Sequence, residues 1–262
     1  MNVPKLSPSL MCIDFAHTEE TLRIFEQCGI DALHIDIMDG EFVPNYALGT
    51  NFCAQLRRLT QIPLDIHLMI TRPDSKLDCF DIQPGEYVSI HWESTPHVHR
   101  TLCAIKACGA KPMLAINPAT PYDVIRYLLP DLDGILVMTV DPGFAGQPLV
   151  PATLDKIRDL RAFLDDCGYP NLEIEVDGNV SFENAVKMRA AGATMFVGGS
   201  SSVFHKDGTL CENIRKLNEA VGKPIQPIIS EGRKEKYCIF LYNNSDYLQK
   251  ARKYGHFTGY KN

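Results

Sequence analysis

Eight short runs of β-branched or apolar residues recur along the chain, and apolar positions between them fall at helical spacing. The runs are KLSPSL from Lys5, ALHIDIM from Ala32, PLDIHLMI from Pro63, YVSIHW from Tyr87, KPMLAIN from Lys111, GILVMTV from Gly134, LEIEVDG from Leu172 and TMFVGG from Thr194. In PATLDKIRDLRAFLDDCG, Leu154, Ile157, Leu160 and Leu164 make one apolar stripe and Gly168 supplies a stop. In SFENAVKMRAAGA, Ser181 is placed to cap a helix and Gly192 to end it. Strands alternating with helices eight times predict an α/β chain folded as a (β/α)8 TIM barrel, with a doubly wound open sheet as the alternative. The pattern ends near Gly222, so residues 1–222 read as the barrel and 223–262 as a C-terminal extension. Within the extension, YCIFLY has strand character and SDYLQKARKYG helix character, and its expected place is on the barrel's outside or on another subunit.

The polar positions inside the runs change this picture. In LHIDIM, Leu33, Ile35 and Ile37 point one way while His34, Asp36 and Met38 point the other. A strand of a parallel sheet is buried on both faces, so an imidazole and a carboxylate on one face need a reason. Other runs share the pattern: Ser7, Ser9 and Met11; Asp65, His67 and Met69; Ser89, His91 and Glu93; Glu173, Glu175 and Asp177. Only a barrel interior accommodates so many polar groups, by pairing them, and the C-terminal strand ends form the mouth where chemistry occurs in this fold. A single interior histidine is ordinarily a hydrogen-bonded core residue; two on adjacent strands beside carboxylates favour ligands. His34, Asp36, His67 and Asp177 would suit one divalent ion, Zn²⁺, Fe²⁺, Mn²⁺ or Co²⁺, with Mg²⁺ a further option.

Asp36 and Asp177 stand on strands three steps apart around an eight-strand ring. One could remove a proton from carbon while the other delivers one to the opposite face, with a Lewis acid easing the removal. Met11, Met38, Met69 and Met138 read either as an apolar collar excluding water or as ordinary core filling. Gly143 and Gly146 in DPGFAGQ, Gly178 in DGN, and Gly198 and Gly199 in GGSSS converge on one side of the mouth. Loops after the seventh and eighth strands are the usual phosphate site of this fold.

Composition sets outer limits. A net charge of −6 argues against a nucleic-acid footprint or an anionic-membrane surface, without excluding a phosphate held by backbone N–H groups. No run approaches the ~18 apolar residues that a spanning helix needs, and MNVPKLSPSLMCIDF lacks the features of a signal peptide. Nine cysteines without a CxxC pair fit reduced thiols better than a disulfide framework. A cytoplasmic protein that contacts neither nucleic acid nor membrane is expected.

The motifs SPSLMCID, HIDIMDGEFVPN, PLDIHLM, INPATP, VMTVDPGFAGQP and EVDGNV, in this order over roughly residues 5–205, resemble the ribulose-phosphate 3-epimerase family. The resemblance implies a (β/α)8 barrel that inverts C3 of a phosphorylated ketose through a cis-enediolate with a divalent metal, and a homo-oligomer is expected. It implies Asp36 and Asp177 as the acid/base pair, and His34, Asp36, His67 and Asp177 as metal ligands. Ser9, Met11, Met38, Met69 and Met138 would line the substrate. Gly143, Phe144, Ala145, Gly146, Gly178, Gly198, Gly199 and Ser200 would hold its phosphate. Within the family, SLMCID, MITRPD, DPGFAGQP and EIEVDG are more similar to the D-allulose-6-phosphate 3-epimerase branch than to the pentose-phosphate enzymes. VGGSSSVF departs from the family's commonest eighth-strand loop, and the extension has no counterpart in its pattern. Two other readings compete. A decarboxylase or tryptophan-pathway barrel would not need the four-ligand set. A sugar-phosphate-binding barrel without turnover would be expected to lack Asp36 or Asp177, and both are present.

Overall fold

The computed structural model of the chain describes residues 3–224. Nine strands form one sheet: β1 (Lys5–Pro8), β2 (Leu33–Asp39), β3 (Tyr46–Ala47), β4 (Leu64–Met69), β5 (Tyr87–His91), β6 (Lys111–Ile116), β7 (Gly134–Met138), β8 (Glu173–Asp177) and β9 (Met195–Gly198). The order is β1-β9-β8-β7-β6-β5-β4-β2-β3, and every pairing is parallel except the short β2–β3 ribbon. A parallel bridge between Ser9 and His34 and the Ala32 N–H bonded to the Leu6 carbonyl (3.3 Å) join β1 to β2. The eight parallel strands thus close into the (β/α)8 barrel that the alternation predicts.

Among the described residues, six α-helices flank the strands: α1 (Thr18–Gln27), α2 (Thr50–Leu59), α3 (Val98–Ala107), α4 (Ala152–Asp166), α5 (Phe182–Ala191) and α6 (Leu210–Val221). Ile157, Leu160 and Leu164 of α4 are buried against the barrel, whereas Leu154 is half-buried. The Ser181 side chain accepts from the Asn184 N–H, and Gly192 ends α5 at φ +116°, a conformation that favours glycine. The connections after β4 and β6 depart from strict alternation, carrying 3-10 turns (Pro73–Ser75 and Leu77–Phe80; Tyr122–Ile125 and Leu129–Asp131) where α-helices were expected. Pro73 and Pro84 punctuate the first connection and Pro118, Pro121 and Pro130 the second. A proline lacks the N–H of an i→i−4 bond and clashes with the preceding turn, so no long helix can propagate there.

The main apolar core lies between strands and helices, built from outward-facing strand residues such as Ile35, Ile66, Val88, Ile135 and Ile174. The barrel interior is different. Its floor, at the N-terminal strand ends, packs Ala32, Tyr87, Met113 and Met195 beneath a polar plug. There Lys5 and Lys111 both donate to the Tyr87 hydroxyl (3.1 Å each), and Lys5 pairs with Glu173. Glu173 shares a strand face with Asp177 yet belongs to this floor, at the opposite end of β8 from the mouth. α6 ends at Val221 with Gly222 as its cap. Nearly all of the 223–262 extension, including the strand and helix expected in YCIFLY and SDYLQKARKYG, lies outside the described residues.

Candidate active site and metal centre

Strand register assembles the mouth. Asp36 pairs with His67 and His34 with Asp65 across β2–β4, Ser9 sits beside His34 across the closing seam, and Met138 pairs with Asp177 across β7–β8. His34 Nε2 lies 3.4 Å from Asp36 Oδ1 and 3.8 Å from Asp177 Oδ2. His67 Nδ1 repeats both distances, 3.4 Å and 3.8 Å, to the same two oxygens. Four donor atoms from β2, β4 and β8 therefore surround one point, all within 4.8 Å of one another.

The residues fit a divalent ion there. His34 Nε2 and His67 Nδ1 are buried nitrogens with no hydrogen-bond partner, a costly state unless something binds them. Bonds of about 2.1 Å to tetrahedral N and O ligands put neighbouring donors roughly 3.4 Å apart, the spacing seen to Asp36.

Partners behind the donors decide which ring nitrogen is free. His34 Nδ1 sits 2.7 Å from Asp65 Oδ2, which also accepts from the Ser7 hydroxyl (2.8 Å). That carboxylate holds the imidazole proton on Nδ1 and turns the Nε2 lone pair to the centre. His67 Nε2 meets His91 Nε2 at 2.8 Å, so a lone pair on His67 Nδ1 requires its proton to bond His91. His91 Nδ1 in turn faces Glu93 Oε2 at 3.4 Å. Burial, the dominant influence, lowers the His91 pKa to about 4 against the opposing pull of Glu93, so His91 is neutral and can accept that bond.

The charges of the site are interlocked. Burial alone would raise the Asp36 pKa, but His34 and His67 hold it well below the usual carboxylate range. Asp177 goes the other way: burial and the charge of Asp36 raise it, despite the two imidazoles. Behind them, burial followed by the repulsion of Asp65 raises Glu175 well above a normal glutamate. Burial opposes a charge on His34, yet Asp65 and Asp36 together raise its pKa well above normal. A cation at the centre would displace the second proton of that imidazolium, the one on His34 Nε2, while Asp65 keeps the one on Nδ1, and it would favour the ionised form of both mouth aspartates. Ser9 donates to Asp36 Oδ2 at 2.7 Å, leaving Oδ1 for the centre.

One cavity opens above these groups. Its walls include Ser9, Met11, Met38, Met69 and Met138, with Asp36 and Asp177 at the base. Gly143, Phe144, Ala145, Gly146, Gly178, Gly199 and Ser200 line the same cavity. Side-chain hydrogen bonds fix these loops: Asn45, outside the cavity, donates to the Gly143 carbonyl (2.8 Å), and Asn179 to that of Gln147 (2.6 Å). Gly178 stands at φ +114°, and a Cβ there would meet Val140 Cγ2 at 2.6 Å, so both backbone and space require glycine.

Gly198 is absent from that lining. A Cβ on it would lie 2.3 Å from Val203 Cγ2, whereas one on Gly199 would have only Cys12 Sγ nearby, at 3.9 Å. Gly198→Ala is therefore expected to destabilise the fold by about 1–3 kcal/mol through overpacking, read as a lower thermal midpoint. Gly199→Val is expected instead to raise KM several-fold with kcat nearly unchanged, because it crowds the cavity wall. A kcat loss at unchanged KM in Gly199→Val would place that loop away from the bound substrate.

Sequence reasoning left several residues without a role. Asp65, Glu175, His91 and Glu93 are legible in the sequence as inward-facing polar positions, but not as partners of particular donor atoms at the mouth. Cys12, Gln147 and Asn179 also border the cavity; no strand alternation reaches them, because they lie in loops and a 3-10 turn.

A closed parallel barrel whose mouth gathers two imidazoles and two carboxylates beneath glycine-rich loops defines a class: an α/β barrel enzyme with a candidate divalent-metal centre. The chain belongs to the ribulose-phosphate 3-epimerase family, whose model matches residues 5–204, and it is an epimerase of the isomerase class. It is 42% identical over 203 residues to the ribulose-phosphate 3-epimerase of Bacillus subtilis, covering 78% of this chain and 94% of that protein. It is 42% identical over 204 residues to the chloroplastic ribulose-5-phosphate-3-epimerase of Arabidopsis thaliana, covering 77% of this chain and 72% of that one. Among solved structures, KGPDC from Streptococcus mutans superposes with a TM-score of 0.60 at 12% identity, covering 84% of this chain and 98% of that chain. A mutant tryptophan synthase α-subunit from Pyrococcus furiosus gives 0.58 at 15% identity, covering 85% and 98%. Such low identities establish the shared fold alone. Among the described residues, no helix is long and apolar enough to cross a membrane.

Proposed function

We propose that this chain is a divalent-metal-dependent 3-epimerase interconverting D-allulose 6-phosphate and D-fructose 6-phosphate, with Asp36 and Asp177 as the two acid/base groups. The observation that carries the reading is the pair of carboxylates from β2 and β8 converging on His34 and His67 at the floor of the cavity. A divalent ion held by His34, Asp36, His67 and Asp177 would polarise the ketone oxygen and make the neighbouring C–H acidic. The chain's own residues do the rest. One aspartate takes the C3 proton from one face while the other supplies a proton to the opposite face, which inverts the carbon. Ser9 holds Asp36 Oδ2 by its hydrogen bond and so fixes the rotation of that carboxylate. Met38 and Met69, packed with Met11, form an apolar wall that excludes water from the planar carbanionic carbon. Backbone around Gly143–Gly146, Gly178, Gly199 and Ser200 is the proposed cradle for the phosphate.

The hexulose phosphate is supported by SLMCID, MITRPD, DPGFAGQP and EIEVDG. A second reading, D-ribulose 5-phosphate to D-xylulose 5-phosphate, is favoured by the names of the relatives. Measuring kcat/KM for both ketose phosphates on protein of known metal content separates them. Preference for the hexulose supports the first reading and preference for the pentulose the second. Turnover of neither by metal-loaded protein would overturn the epimerase assignment itself.

A further inference from the structure

Two thiols that take no part in the mouth meet on the outside of the barrel. Cys28 caps the C-terminal end of α1, just before Gly29 at φ +66°. Cys211 stands in the first turn of α6, behind a capping box formed by Thr209 and Glu212. Their sulfurs lie 3.3 Å apart although 183 positions separate them in sequence. A disulfide needs about 2.05 Å, so bond formation requires closure of only about 1.2 Å.

Both sulfurs are held from well-anchored surroundings. Lys223 Nζ donates to the Gly29 carbonyl (3.1 Å) and pairs with Asp31, whose carboxylate accepts from the Leu6 N–H at 2.7 Å. Phe25 of α1 packs edge-on against Phe204, with 6.2 Å between ring centres. Asn213 in α6 donates to the Val203 and His205 carbonyls at 3.2 and 2.7 Å. Neither cysteine is a fully buried residue.

The thiols are also unequal. The hydrogen bond between the two sulfurs lowers the Cys211 pKa to about 7; burial and Glu212 oppose the shift, and Arg215 assists it. The same hydrogen bond, with burial, pushes the Cys28 thiol up. A thiolate at a helix N-terminus beside an arginine is the usual setting of an attacking cysteine.

We propose that Cys28 and Cys211 form a thiol–disulfide exchange site for small-molecule disulfides of the glutathione type. The Cys211 thiolate attacks one sulfur of the disulfide, forming a mixed disulfide and releasing the first small thiol. Cys28 then gives up its proton and attacks the Cys211 sulfur, breaking the mixed bond and releasing the second. The two protein thiols are oxidised to one disulfide, the reagent is reduced to two thiols, and the protons lost by the protein end on the released thiols. The new bond ties the end of α1 to the start of α6 and closes a long loop of chain, which restricts the unfolded state.

The test treats the reduced full-length chain with glutathione disulfide, then maps modified peptides by mass spectrometry and follows thermal unfolding. Expected are a Cys28–Cys211 linked peptide, no glutathione retained on Cys211, and a raised thermal midpoint. Cys28→Ser should stop at a glutathione adduct on Cys211, and Cys211→Ser should form neither that adduct nor the link. Far-UV circular dichroism and epimerase turnover of both variants, expected near wild type, confirm that they fold. Wild-type protein that keeps glutathione on Cys211, or leaves both thiols free while the exposed Cys79 and Cys108 react, would overturn the proposal.

Discussion

Asp36→Asn and Asp177→Asn are each expected to lower epimerisation by about 10²–10⁴-fold, the usual cost of losing a positioned acid or base, yet to leave different isotope-exchange reactions alive. If the carboxylates serve opposite faces, each epimer's C3 proton is removed by a different one. A variant with one competent base can then exchange the C3 hydrogen of one epimer with solvent deuterium without inverting the carbon. Both aspartates also face the imidazoles, at 3.4 and 3.8 Å, so each substitution withdraws charge from the candidate metal centre. Metal content must therefore be measured on the same samples. With metal retained, two variants that exchange the same epimer at equal rates would show that one base works on both faces.

His67→Ala is expected to lower metal content and turnover together while leaving both aspartates in place. The imidazole presents an unpartnered, fully buried Nδ1 to the centre, and its removal leaves three donors. Loss of an outer partner of a ligand already costs about 10–100-fold in metal affinity, so loss of a donor should exceed that. Competition against a chelator reads the affinity without relying on turnover. A His67→Ala protein with full metal content and full activity would rule out the His/Asp centre.

The alternation of LHIDIM and PLDIHLM showed that an imidazole and a carboxylate share an inward face on each strand, because side-chain period in a strand is local geometry. The same local logic placed the helix that Ser181 and Gly192 bound. It did not reveal that the connections after β4 and β6 would be 3-10 turns; there the prolines outweighed the spacing of apolar residues. Nor did it separate depth from direction. Glu173 and Asp177 lie on one face of β8, but one joins Lys5 at the floor and the other borders the cavity at the mouth. Gly198 and Gly199 are neighbours in sequence, yet Val203 packs over the first and the cavity opens beside the second.

By itself, then, the sequence determined the number of barrel strands, the polar donors each carries, and the family to which their motifs point. Only the tertiary structure decided how those donors act. His34 offers Nε2 because Asp65 from β4 engages its other nitrogen, and His67 offers Nδ1 because His91 from β5 engages Nε2. Which nitrogen is free depends on hydrogen bonds between strands, and those follow from how the closed barrel sets one strand's register against the next.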